Sequence, residues 1–196
     1  MRMVLAIIIS YLIGSIPFGY LVARIWKDVD IRKLGSGNIG ATNVWRNLGP
    51  AAGILALTGD TCKGALAVIL ARQLGNDTTV LLASLAVLAG HSYPVYLKFK
   101  GGKMVATGLG VLLATTPIVA LVGIVIWLVF VGISRYVSLG SIAAAISVPI
   151  TMLVLKEPWQ VIVFGSIASG LAIYKHSSNI KRLLNGTENK IWNRKK

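Results

Sequence analysis

The sequence predicts an all-α integral membrane protein with about seven transmembrane helices, some of them short or broken. Three observations predict it. Hydrophobic residues make up 55% of the 196-residue chain and its mean hydropathy is +0.75, too apolar for a domain that must keep a polar surface in water. The apolar residues gather in runs of membrane-spanning length. The twenty Lys and Arg residues, set against six acidic ones, cluster in the loops between those runs. No linker or low-complexity tract separates the runs, so residues 1–196 are taken as one domain.

A hydrocarbon core of ~30 Å needs about 20 apolar residues in a helix, and only helices or closed barrels satisfy their backbone groups there. The first run, 3–26, is longer than a signal-peptide core and lacks a small-residue cleavage pattern, so it is expected to remain as a membrane helix. The second, 50–74, is expected to be interrupted by GDTCKG at 59–64, which sets Asp60 and Lys63 at membrane depth. A lone charge there costs at least ~2.5 kcal/mol, so the two should pair or face a wet cavity. A third run covers 78–97. The fourth, 103–116, is short, glycine-rich and stopped by Pro117, which suggests a half-length or tilted helix. Runs at 117–134, 138–155 and 158–175 complete the set. Short and broken helices usually line a site instead of facing lipid.

Basic residues fix the expected orientation. With the N-terminus outside, the inner segments hold Arg24, Lys27, Arg32, Lys33, Arg46, Lys98, Lys100, Lys103, Arg135 and the basic tail, and the outer ones only Arg2, Arg72 and Lys156. The positive-inside rule therefore puts the N-terminus outside and the C-terminus in the cytoplasm. A formal charge of +14 suggests nucleic acid only on a soluble face carrying a recognition signature, and none is present, so no nucleic-acid partner is expected. The single cysteine, Cys62, excludes an intramolecular disulfide and a cysteine-built zinc site.

The polar chemistry sits in the inner loops. The first reads LGSGNIGATNVWRNLG, 34–49. Gly35, Gly37 and Gly40 let backbone amides turn inward toward an oxyanion, while Ser36, Asn38, Thr42 and Asn43 add neutral hydrogen-bonding groups. Arg46 offers a bidentate fork to phosphate. The loop is neither a P-loop nor a dinucleotide fingerprint, and the plainer reading is a tight turn with a helix cap at Thr42 or Asn43. The second loop, GHSYPVYLKFKGGKMVATG at 90–108, leads a basic cluster into Gly101, Gly102 and Lys103 and then a helix start carrying Thr107. Lys98 and Lys100 suit lipid head groups, and His91 suits a hydrogen-bonded packing group better than a catalyst. In SRYVSLGS, 134–141, Ser138 is expected to cap a helix, and Ser141 either does likewise or points into a polar cavity. The tail HSSNIKRLLNGTENK, 176–190, puts His176 and Asn179 on one helix face, with Leu183, Leu184 and Ile191 suited to a membrane surface and Lys181 and Arg182 to head groups. A surface anchor alone is the other reading. Glu188 is placed to orient a neighbour.

Through these motifs the chain resembles the bacterial acyl-phosphate-dependent glycerol-3-phosphate acyltransferases, the PlsY family of membrane enzymes. The resemblance covers nearly the whole chain, with GSGNIGATNVWRNLG, GHSYPVYLKFKGGKMVATG and HSSNIKRLLNGTEN in the family's order. One position departs: Met104 stands where the family has glycine after the motif's lysine.

The resemblance implies transfer of a fatty acyl group from acyl phosphate to the 1-hydroxyl of glycerol 3-phosphate, giving lysophosphatidic acid and phosphate. It implies the first acylation step of phospholipid synthesis, in a bacterial inner membrane, with the site facing the cytoplasm. Two phosphorylated substrates and membrane lipid are the expected partners, and no cofactor or metal is expected. Ser36 to Asn43 would hold the acyl-phosphate head and the developing oxyanion. Arg46, Lys103, Ser141, His176 and Asn179 would hold glycerol 3-phosphate. The HxxxxD pair of thioester-using acyltransferases is absent at both His91 and His176. Acyl phosphate is already activated, so direct attack without an acyl-enzyme intermediate is expected, with His176 or a substrate phosphate oxygen taking the proton. The alternative is a small-anion or lipid-phosphate transporter, but paired halves are missing and the motifs crowd one face. A CDP-alcohol phosphotransferase needs an aspartate cluster that Asp28, Asp30 and Asp60 do not form.

Overall fold

The computed structural model describes residues 1–192, and among these every regular element is helical. Two compact units divide the chain, residues 1–115 and the remainder from Thr116. The first holds α1 (Arg2–Ser15), α2 (Phe18–Lys27), α3 (Ala41–Leu48), α4 (Pro50–Leu74), α5 (Asp77–Ser92) and α6 (Val105–Thr115). The second holds α7 (Pro117–Ser134), α8 (Val137–Val154), α9 (Trp159–Lys175) and α10 (Ser177–Leu184). Each of the seven predicted runs is helical. Among the described residues, five segments are long and apolar enough to cross a membrane: Arg2–Lys27, Pro50–Leu74, Asp77–Leu97, Pro117–Ser134 and Val137–Val154. The half-length helix expected after Lys103 is α6, with 11 residues.

The expected breaks fall differently. The first run is split between Ser15 and Phe18, where Ile16 is extended at ψ 115°. Pro17 supplies the reason, because its ring disfavours helical backbone at the residue before it and it lacks an amide proton. The second run, expected to be interrupted at GDTCKG, is one continuous 25-residue helix. Glycine in a helix costs only about 1 kcal/mol relative to alanine, and here it permits packing. A Cβ on Gly59 would strike the Phe18 ring, and one on Gly64 the Thr107 carbonyl.

Within the first unit, α1 packs on α5 and α4 on α6. Both pairs use the same reciprocal device. Gly14 lies against the Val87 carbonyl and Gly90 against that of Tyr11; Gly64 lies against Thr107 and Gly110 against Thr61. Helices in lipid gain little from the hydrophobic effect between themselves, so close backbone approach over small residues provides the contact. A small apolar core of Ala23, Ile31, Ile39, Val44, Ala52, Ala56 and Leu97 packs the glycine-rich loop before α3 against α2 and α4. In the second unit, α7 packs on α8 and α8 on α9, with α10 against both α8 and α9. The outer face of α7 exposes Ile118, Leu121, Val125 and Leu128, as a helix facing lipid should.

The α4–α6 crossing yields a prediction. Gly110→Val should overpack it by about 1–3 kcal/mol or more, lowering the thermal midpoint of the detergent-solubilised protein. Gly170→Ala, inside α9 where no neighbouring atom lies within 4 Å, should not lower it, since alanine favours the helix by about 1 kcal/mol over glycine.

Candidate active site

In the glycine-rich loop before α3, one buried amide organises the backbone. Asn43, 2% exposed, donates through Nδ2 to the carbonyls of Ile31 at 3.1 Å, Leu34 at 3.0 Å and Asn38 at 2.9 Å. Its Oδ1 accepts the Ser36 amide at 3.0 Å and Asn47 Nδ2 at 3.0 Å. The chain folds around this side chain because Gly35 (φ 55°) and Gly37 (φ 71°) adopt left-handed backbone. A Cβ on Gly35 would also press on Asn43 Oδ1. Asn38 Oδ1 accepts the Gly40 amide at 2.8 Å, and Gly40 is the N-cap of α3. The cap expected at Thr42 or Asn43 therefore lies two or three residues earlier, and Asn43 is freed to hold the loop.

The same folding draws the loop's backbone amides inward. The amide of Ser36 goes to Asn43, that of Gly37 to the Leu34 carbonyl at 3.0 Å, and that of Gly40 to Asn38. These three amides, expected to face an oxyanion, donate within the loop instead. The glycines shape it; of its side chains, Ser36 is exposed, and Thr42 and Arg46 are partly buried. Asp30 steadies the approach to this loop. Its carboxylate accepts from Arg32 Nε at 2.9 Å and Nη2 at 2.7 Å. The Arg32 guanidinium lowers the Asp30 carboxyl to about 2.

In the loop between α5 and α6, Gly102 is buried, while Gly101 and Lys103 are partly buried. The Gly102 amide donates to the His91 carbonyl at 3.0 Å. Met104 is 5% exposed and sits in the left-handed region at φ 55°. Its carbonyl accepts the Gly108 amide at 2.7 Å, which opens α6. Thr107 is fully buried in the α4–α6 contact, so it supports the loop from behind.

At membrane depth, Asp60 and Lys63 pair as one of the two expectations had it. Lys63 Nζ lies 2.7 Å from Asp60 Oδ1 and also donates to the Ile16 carbonyl at 2.7 Å. That carbonyl is the one released by the break between α1 and α2.

In the second unit, Glu188 gathers three partners. Its Oε1 accepts from Ser138 Oγ at 3.0 Å and Asn179 Nδ2 at 2.8 Å, and its Oε2 from Arg182 Nε at 2.7 Å. Burial raises the Glu188 carboxyl, but the hydrogen bonds from Asn179, Arg182 and Ser138 outweigh it and hold the group below its ordinary value. Ser138, expected as an N-cap, lies inside α8 behind the cap residue Tyr136, and Arg182, expected at head groups, closes this cluster. His176 joins α9 to α10 as the C-cap of one and N-cap of the other. Its Nδ1 donates to the Ala172 carbonyl at 2.8 Å, since a carbonyl only accepts, which leaves Nε2 unprotonated in the neutral ring. Ser141 Oγ donates to the Val137 carbonyl at 2.9 Å and accepts from Trp127 Nε1 at 3.3 Å.

The predicted residues thus form two sets: Gly35, Ser36, Asn38, Gly40 and Asn43 in the first unit, and Asn179 with Glu188 in the second. Sequence reasoning missed the supporting groups Asn47, Ser138 and Arg182. The spacing of Asn47, one helical turn after Asn43, was the available signal for the first; none marked the Ser138 contact across 50 residues.

Comparison with known proteins fits this framework. A family model described as glycerol-3-phosphate acyltransferase matches residues 4–186. A glycerol-3-phosphate acyltransferase of Desulforamulus reducens is 54% identical over 193 residues, 98% of this chain and 96% of the relative. One from Carboxydothermus hydrogenoformans is 49% identical, covering 98% of each. A crystal structure of PlsY, an integral membrane glycerol 3-phosphate acyltransferase, in its glycerol 3-phosphate form superposes with a TM-score of 0.93 at 42% identity. That match covers 97% of this chain and 96% of the other.

Two predictions follow from these geometries. At Met104, glycine relieves a backbone strain of order 1–3 kcal/mol, whereas alanine keeps the strain and loses the packing. Met104→Gly should therefore melt above Met104→Ala, reversing the usual helix-propensity order. For Glu188, a carboxyl held below its ordinary 4.5 contributes stability above that pH, and the contribution is lost as pH falls through the lower folded value. Between pH 7 and 3 the wild type should lose more thermal stability than Glu188→Gln; equal losses would contradict the cluster.

Proposed function

The chain belongs to the glycerol-3-phosphate acyltransferase family, and from that premise we propose that it transfers a fatty acyl group from acyl phosphate to the 1-hydroxyl of glycerol 3-phosphate. The products are lysophosphatidic acid and inorganic phosphate. The observation that carries this reading is the first loop. Asn43 fixes its backbone internally, so that Ser36 and Arg46 present preorganised side-chain groups suited to phosphate.

In this scheme the stretch from Ser36 to Asn43 holds the acyl-phosphate head, with Ser36 supplying a hydroxyl to the developing oxyanion. Arg46, Lys103, Ser141, His176 and Asn179 take glycerol 3-phosphate, and Glu188 holds Asn179 in place. Gly101 and Gly102 bring the backbone close behind Lys103. The glycerol oxygen attacks the acyl carbonyl, the bond from that carbon to the phosphate oxygen breaks, and phosphate departs with the electron pair. The proton goes to His176 Nε2 or to a substrate phosphate oxygen. Acyl phosphate needs no covalent activation, and orientation of the reactants supplies up to ~7–11 kcal/mol in favourable cases. The positive-inside rule, applied to the basic loops, supports a site at the cytoplasmic face of a bacterial inner membrane with the N-terminus outside.

Arg46→Ala and Lys103→Ala in purified, monodisperse protein should each lower acyl transfer by about 100-fold or more. Phosphate release from acyl phosphate and lysophosphatidic acid formation are the measured quantities. Full activity in either variant removes that residue from the site.

A further inference from the structure

The scheme above leaves one set of ionisable groups unused. Asp60 on α4 is 2% exposed, Lys63 one turn later 3%, and His91 near the end of α5 also 3%. Lys63 Nζ and Asp60 Oδ1 are 2.7 Å apart, and His91 Nδ1 lies 3.5 Å from the same carboxylate oxygen. Buried charges are costly to keep, and replacing such a pair by apolar residues is often neutral or stabilising. Helix packing alone therefore does not account for all three.

Where the cluster leads is informative. His91 opens the second inner loop, and the loop returns to it: the Gly102 amide donates to the His91 carbonyl at 3.0 Å. A Cβ on Gly102 would collide with His91 Nε2, and one on Gly101 with the His91 carbonyl. The imidazole thus has one nitrogen edge toward Asp60 and the other against the backbone of Gly102, next in sequence to Lys103. On the far side, Lys63 holds the Ile16 carbonyl at 2.7 Å and lies 5.8 Å from the centre of the Phe18 ring. The chain of contacts runs from the α1–α2 break through Lys63, Asp60 and His91 to the glycines before Lys103.

We propose that Asp60, Lys63 and His91 are positioning residues: they set the ring of His91 as a fixed stop against Gly102 and so hold Lys103 where it engages the phosphate of glycerol 3-phosphate. This rests on the assignment of Lys103 to that substrate. The groups touch no reactant; they act through the backbone of the loop. The ion pair fixes Asp60, Asp60 fixes the imidazole, and the imidazole defines how closely residues 101–102 approach α5.

The test is a kinetic cycle in purified, folded enzyme, with KM measured separately for glycerol 3-phosphate and acyl phosphate. His91→Ala should raise the KM for glycerol 3-phosphate about tenfold or more, leaving that for acyl phosphate unchanged. Gly102→Ala should do likewise by collision with the ring. In the double variant the collision is gone, so the two effects should not add. The neutral pair Asp60→Asn with Lys63→Met should shift the same constant in the same direction, and His91→Gln serves if His91→Ala does not fold. A merely structural cluster would change the folded fraction and thermal midpoint but neither KM. Unchanged KM in the His91 variants, or strict additivity with Gly102→Ala, would overturn the inference while Lys103→Ala still raises the KM for glycerol 3-phosphate. If Lys103→Ala itself leaves that constant unchanged, the assignment of Lys103 falls and this inference with it.

Discussion

A polar group inside a bilayer has no water to turn to, and that constraint shapes the polar part of this molecule. The break in the first apolar run and the buried charges are answered by specific partners. Pro17 splits the first apolar run, and the carbonyl it releases at Ile16 is taken by Lys63. The cation so introduced is answered by Asp60 within 2.7 Å. Glu188, buried in the second unit, is answered by Ser138, Asn179 and Arg182. A partly satisfied network would cost more than none, so these clusters fix the backbone around them.

That rigidity suits the proposed acyl transfer between two phosphorylated reactants. With acyl phosphate as the proposed donor, already a mixed anhydride, catalysis would rest on orientation and on charges set in place before the reaction. The first loop shows how this is reached with neutral residues. Asn43 spends its hydrogen-bonding capacity on the backbone from Ile31 to Asn38, and the amides of Ser36, Gly37 and Gly40 donate within the loop. Glycine-rich sequence here marks a tightly folded loop.

The helices were legible in the sequence because span length and hydropathy are local properties. Runs at 50–74 and 117–134 match α4 and α7 residue for residue. The breaks were misplaced for a physical reason. Polar GDTCKG looked like an interruption, yet Gly59 and Gly64 are the contact surface of an unbroken helix, while Pro17, hidden in a strongly apolar run, is the real break. The motifs marked stretches of chain that fold into hydrogen-bonded clusters around Asn43 and Glu188. They did not disclose that Asn43 faces inward, that Ser138 meets Glu188, or that His91 backs onto Gly102, because those contacts depend on how distant segments return to one another.

The central claim is that both reactants are held together and the acyl group passes directly between them. The most direct measurement is rapid-quench phosphate release from acyl phosphate with and without glycerol 3-phosphate, paired with intact-mass analysis of the protein. The account predicts phosphate only when the acceptor is present and no change in protein mass. A stoichiometric burst of phosphate without acceptor, together with protein heavier by one acyl group, would contradict it.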